Sequence, residues 1–241
     1  MPVDISSHKH ALGFIIAVVF IDSIGFGIIL PVMPSLIMGL SDTSLSGASR
    51  IGGYLMFTYA AVQFFAAPIL GNLGDKFGRR PVLLYSLAAL SIASLFMAVA
   101  PTLFWLFIAR MIAGIASSTF SLAYAYVTDI TPEEKRAQRF GMIGAAFGGG
   151  FIFGPVIGGV MGEYGPRIPF YAAAALAFIN LVYGYFALGE SLSEEHRRPF
   201  DLKRANPVGA LLQMRKYPVI LGLGLAYFLY MLGHFSLPST F

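Results

Sequence analysis

The sequence predicts an all-α integral membrane protein, a six-helix bundle followed by a charged linker and a seventh spanning helix. Three observations predict it. Of the 241 residues, 57% are hydrophobic and 12% are charged. Soluble domains carry about 25% charge, so this chain cannot cover a surface that faces water. Seven apolar runs are each about as long as the ~20 residues needed to cross ~30 Å of hydrocarbon. They are too long for strands and do not alternate. Lys and Arg, finally, gather in every second connection between the runs.

The first run, Ala11 to Leu30, follows a short polar stretch, Met1 to Lys9. No small-residue cleavage site comes after it, so it reads as a retained helix rather than a removed signal. Asp22 sits in its middle. A charge at bilayer depth costs at least ~2.5–3.5 kcal/mol on insertion scales, and such a residue is functional by default. The second run, Ile51 to Leu70, contains Gln63, an amide suited either to binding a substrate or to joining helices.

Gly71-Asn72-Leu73-Gly74-Asp75-Lys76-Phe77-Gly78-Arg79-Arg80-Pro81 reads as the loop to the third run, Pro81 to Ala100. Its glycines allow a tight turn, and Pro81 suits a first helical turn. The spacing Gly-x-x-x-Asp-Lys-x-Gly-Arg-Arg is more specific than a basic topology signal requires. Asp75, Arg79 and Arg80 can bond helix ends and one another.

The fourth run, Leu103 to Val127, carries Arg110, the only basic residue inside a run. A rise of 1.5 Å per residue puts Asp22 about 18 Å and Arg110 roughly 20 Å from the inner edge. The two therefore lie at similar depth. A carboxylate there can carry a proton and a nearby guanidinium can bias it; the alternative is a purely structural ion pair. A stripe of small residues, Ala109, Ala113, Ser117, Ser121 and Ala125, marks the same helix. In the fifth run, Phe140 to Gly162, Gly150, Gly154, Gly158 and Gly162 recur every four residues. That spacing makes one smooth face for close helix approach. Gly149 and Gly159 widen it, and Pro155 predicts a kink.

The sixth run, Ile168 to Leu188, completes a six-helix domain over 1–188. A charged linker, 189–218, contains Pro199 and Pro207. The seventh run, Val219 to Pro238, holds His234 near its end, where interfacial solvation is expected. Residues 219–241 read as the first helix of a second transmembrane domain, expected to be truncated. Thirteen of the sixteen Lys and Arg fall on the side of the N-terminus; only Arg50 and Arg167 fall on the other. The excess of Lys and Arg on one side predicts a cytoplasmic N-terminus. It also excludes nucleic acid as a partner, because the cations sit where cytoplasmic connections carry them.

No cysteine is present, which excludes disulfides, thiol catalysis and Cys-based metal sites. No phosphate-binding glycine loop, zinc spacing or Ser-His-carboxylate motif is recognisable. The expectation is no enzyme, no metal and no cofactor. Membrane lipid and a small-molecule substrate are the expected partners.

The residues resemble the major facilitator superfamily. Gly71 to Arg80 resembles its signature segment between helices two and three. Arg110 with Gly114 resembles the helix-four motif of proton-linked members, and Gly149 to Gly159 the helix-five motif of antiporters. Asp22-Ser23-Ile24-Gly25-Phe26-Gly27, followed by Pro31 and Pro34, resembles helix one of the tetracycline-resistance branch of drug:proton antiporters. The similarity covers nearly the whole chain.

The resemblance implies twelve helices in two halves, of which the chain holds the first half plus helix seven. It implies drug efflux driven by protons as the coupling ion. Asp22 and Arg110 are then expected at the substrate and proton site, where Gln63 stays a candidate from its own run, with Gly71, Asp75, Gly78, Arg79, Arg80 and Asp129 in a conformational latch. Gly150, Gly154, Pro155, Gly158 and Gly159 are expected to pack against the absent half. One departure concerns substrate: Ala93 stands where that branch carries an aspartate in helix three. Two rival functions remain open at this stage, a metabolite symporter or uniporter, and a non-transporting fragment or membrane interaction protein.

Overall fold

A computed structural model of the chain describes residues 5–117, 119–201, 205–207, 209 and 217–240, with no strand among them. Helix α1, Ile5–Ile29, passes through a 3-10 turn at Leu30–Val32 into α2, Met33–Ser41. Pro31 and Pro34 both stand at helix starts, where a missing N–H leaves no helical bond unmade. The chain continues through α3, Leu45–Phe77, α4, Arg79–Val99, α5, Leu103–Ala116, α6, Thr119–Ile130, α7, Glu133–Gly162, and α8, Ile168–Ala187. Among the described residues six stretches are long and apolar enough to cross a membrane, with α1–α2 and α5–α6 each counting as one.

Two boundaries differ from the sequence reading. The segment read as a loop from Gly71 to Pro81 is helical on both sides of Gly78, the single residue outside a helix. At 33 residues and 1.5 Å per residue, α3 is roughly 50 Å long and projects well past the hydrocarbon. Gly74 serves close packing rather than a turn: a Cβ there would lie 2.9 Å from Leu122 Cδ2 and 3.2 Å from Arg79 Nη1, whereas one at Gly71 would meet nothing within 4 Å. The fourth span is broken near its middle. α5 ends at Ala116, Ser117 turns its hydroxyl onto Gly114 O at 2.8 Å, and α6 restarts at Thr119.

The glycine face of α7 is where α1 packs. A Cβ on Gly150 would stand 2.5 Å from Phe20 O, and one on Gly154 2.7 Å from Gly27 Cα. Gly158 faces the Ile28 backbone and Gly162 faces Val32. Gly27 answers from α1, where a Cβ would meet Pro155 Cδ at 2.9 Å. The expectation that this face is kept for the other half is therefore corrected. Four residues per step put these glycines on one side of α7; Gly150, Gly154 and Gly158 meet the α1 backbone, and Gly162 meets the Val32 side chain in the turn that follows α1. Gly159 lies off that side, with nothing within 4 Å of its Cβ position.

The buried apolar side chains form two clusters. One, including Leu12, Val19, Leu83, Leu122, Tyr126 and Leu188, fills the end of the bundle where α3 meets α4. The other, including Ile29, Leu36, Leu55, Met97, Leu106 and Phe170, fills the opposite end. Along α1, α4, α5–α6 and α8 the buried polar residues Asp22, Ser94, Arg110, Ser117, Thr119 and Asn180 fall between the two clusters. The bundle is thus a polar layer held between two apolar ones. Residues beyond α8 up to Phe200 belong to this compact unit. A second unit, Asp201–Phe241, holds α9, Pro218–Thr240. The side chain of His234 lies outside the described residues.

Candidate functional site: a polar cavity at mid-bundle

Asp22 and Arg110 line one cavity of about 50 Å³, together with Tyr59, Ser94, Ser117 and Thr119 and an apolar wall that includes Phe26 and Phe120. The depth argument made from helix rise is met in space. Both side chains are almost fully buried, at 5% and 3% exposure. They do not form an ion pair: no oxygen of Asp22 lies within 4.0 Å of a nitrogen of Arg110 among the described residues. The structural salt bridge considered for them is absent. Arg110 instead stands over the Tyr59 ring at 5.9 Å, a cation–π contact, and its Nε has no hydrogen-bond partner.

Asp22 has one satisfied oxygen and one free one. Asn180, fully buried on α8, donates from Nδ2 to Asp22 Oδ1 at 3.0 Å and to Val18 O at 3.0 Å. Asp22 Oδ2 and Asn180 Oδ1 are both buried without a partner. The Thr119 hydroxyl lies beside the same carboxyl. Sequence reasoning missed Asn180. The available signal was an uncharged amide alone in an otherwise apolar run, the same signal that singled out Gln63. Gln63 is half-buried one turn along α3 from Tyr59 and is not among the cavity's lining residues. Ala93 is fully buried, while Leu90, Ser94 and Met97 of its helix line the cavity.

The cluster at the α3–α4 end is assembled around Arg79. Its Nη2 bonds Asp75 Oδ1 at 2.6 Å, its Nε bonds Asp129 Oδ2 at 3.2 Å, and its Nη1 reaches Gly71 O at 3.5 Å. The planar guanidinium fork presents several fixed donors, so one side chain ties the end of α3 to the end of α6. Gly78 has φ +102°, a conformation open to glycine, and its Cβ position faces the Glu190 carboxylate.

Glu190, unmarked by the sequence reading, accepts from the backbone N–H of Arg79 at 2.8 Å, Ser191 at 3.0 Å and Leu192 at 3.1 Å. Ser191 Oγ donates to Asp129 Oδ2 at 3.1 Å, and Arg198 N to Asp75 O at 3.0 Å. The first part of the linker is therefore bound to the Arg79 cluster. Arg80 stands apart from it. It donates to Tyr185 O at 2.8 Å and lies over the Tyr185 ring, closing the end of α8. At the opposite end Arg167 donates to Ala98 O at 2.6 Å and Ala100 O at 2.8 Å, satisfying carbonyls left open where α4 stops.

Comparison with known proteins agrees with this architecture. The Major Facilitator Superfamily sequence profile matches residues 15–241. The Escherichia coli class C tetracycline resistance protein is 41% identical over 221 residues, covering 92% of this chain and 55% of that protein. Multidrug resistance protein 2 of Bacillus subtilis is 34% identical over 198 residues, covering 82% of this chain and 48% of that protein. The chain spans about half the length of the curated relatives it matches. The crystal structure of the human organic anion transporter MFSD10 (TETRAN) superposes with a TM-score of 0.73 at 22% identity, covering 85% of this chain and 55% of that one. A polar layer between two apolar ends, a glycine seam between α1 and α7 and a profile match over nearly the whole sequence make this chain a membrane protein of the major facilitator superfamily.

Proposed function

We propose that this chain forms the first six-helix half of a proton-coupled exporter of small organic molecules, drugs among them. Asp22 carries the reading. It is a carboxyl in the buried polar layer of a spanning helix, one of its oxygens is unbonded, and it lines a cavity that also holds Arg110. Such a group exchanges a proton, and a guanidinium in the same cavity responds to the change of charge. The relatives named for tetracycline and multidrug resistance support the substrate class.

A cavity of about 50 Å³ holds water-sized groups, whereas drug pockets span ~300–1,000 Å³. The proton site is therefore enclosed within this half, and the drug is bound where a second half completes a larger space. The Lys and Arg count supports an inner-membrane placement with the N-terminus cytoplasmic. The Arg79 cluster then lies at the cytoplasmic end and acts as the latch. Its ties between α3, α4 and α6 close in one conformation and release in the other.

The test uses everted vesicles that contain this chain together with the part of the class C relative it does not cover. Acidifying the vesicle interior drives accumulation of a tetracycline or a cationic dye. Asp22→Asn abolishes that accumulation at an unchanged amount of membrane protein. Accumulation retained by Asp22→Asn removes Asp22 from the mechanism.

A further inference from the structure

We propose that Asn180 is a positioning residue that holds Asp22 in both of its protonation states. The proposal rests on the reading of Asp22 as the proton carrier and adds how the neutral form is accommodated. The amide gives both Nδ2 hydrogens away, one to Val18 O and one to Asp22 Oδ1. Its own Oδ1 and the second oxygen of Asp22 are both buried acceptors without a partner. Each such group bears an uncompensated desolvation cost while unsatisfied.

One proton satisfies both. Bound to Asp22 Oδ2, it takes the side chain from −1 to neutral and makes a new O–H donor. A carboxylic acid and an amide are both planar, with their two polar atoms similarly spaced. The pair already joined by Nδ2–H to Oδ1 therefore closes a second bond, from Asp22 Oδ2–H to Asn180 Oδ1. The acid is held by two hydrogen bonds, and the carboxylate by one charge-assisted bond. Asp22 keeps its place in both states while its charge changes in front of Arg110. The cavity presents few other polar groups to that carboxyl. Arg110 from α5 is the charged one, Tyr59 from α3 the other titratable one, and Ser94, Ser117 and Thr119 supply hydroxyls. Thr119 is the competitor for the new O–H, because its hydroxyl lies beside the same carboxyl.

Infrared difference spectroscopy between high and low pH tests this on the purified chain in lipid, with no drug and no gradient. The C=O stretch of protonated Asp22 is the band lost in Asp22→Asn. In the wild type it is expected at the low-frequency, doubly hydrogen-bonded end of the carboxylic acid range. Asn180→Val is expected to move it up by the shift that separates bonded from free acids, and Thr119→Val to leave it in place. A wild-type band at the free-acid end overturns the proposal without needing the Asn180 variant to fold. So does a band that moves with Thr119→Val and not with Asn180→Val, or the absence of any Asp22 band. Failure of drug accumulation in vesicles bears on the transport reading alone, because the spectrum reports the hydrogen bond whether or not anything is exported.

Discussion

Gly154→Ala tests the seam between α1 and α7. A Cβ at this position would lie 2.7 Å from Gly27 Cα, 2.8 Å from Ile24 O and 3.0 Å from Gly27 C. All three are backbone atoms, so no side chain can rotate away. Carbon contacts are comfortable at about 3.5–4.0 Å, so the helices must part by roughly 1 Å, which forfeits a quarter to a half of the dispersion energy at each contact they share. Overpacking of a close-packed site costs about 1–3 kcal/mol. Replacing glycine by alanine in a helix returns about 0.5–1 kcal/mol. With backbone on every side, the loss lies at the upper end, and the net destabilisation is about 2 kcal/mol. Gly159→Ala is the internal control, because it has open space and keeps only the helix-propensity gain. Unfolding of the purified chain by sodium dodecyl sulfate, followed by far-ultraviolet circular dichroism, reads the difference. Gly154→Ala should unfold at lower detergent fraction than wild type, and Gly159→Ala at equal or higher. A Gly159→Ala variant that loses as much as Gly154→Ala refutes the packing argument.

Two further predictions concern the Arg79 cluster. Gly78→Ala places a side chain at φ +102° against the Glu190 carboxylate, and strain of this type costs about 1–3 kcal/mol. Accelerated proteolysis within 189–198 is the expected readout, with unchanged cleavage as the contrary one. Arg79→Lys keeps the charge but replaces a fork bonded to Asp75, Asp129 and Gly71 O with a single ammonium. It should raise backbone hydrogen exchange at the ends of α3 and α6 together. Exchange that rises at only one of them contradicts the role given to Arg79 as their tie.

The spans, the buried charges and the glycine face were legible in the sequence because each violates a composition rule. Asp22 and Arg110 are charges in apolar runs, and helix rise alone was enough to put them at one depth. Gly150, Gly154 and Gly158 share a helix face by counting. What counting cannot supply is the partner of a face: the glycines pack on α1 in the same half, a fact that depends on which helices are neighbours. Asn180 was hidden because a single amide carries no charge and fits a spanning helix at modest cost. Glu190 was hidden for another reason. It sits in a charged linker where an acidic residue is unremarked, and the Arg79 N–H reaches it only when the chain folds back after α8. The loop reading of Gly71 to Pro81 failed because three glycines in eleven residues suggest a turn, whereas Gly74 is needed for contact with Leu122 and only Gly78 breaks the helix.

The measurement that bears most directly on the central claim is substrate-driven proton movement. Liposomes holding this chain with the part of the class C relative it does not cover are loaded with a pH-sensitive dye and given a drug gradient without any imposed pH difference. The account predicts a change of internal pH opposite in direction to proton co-transport, present in wild type and absent in Asp22→Asn. Drug movement with no change of internal pH, or with protons travelling alongside the drug, contradicts it.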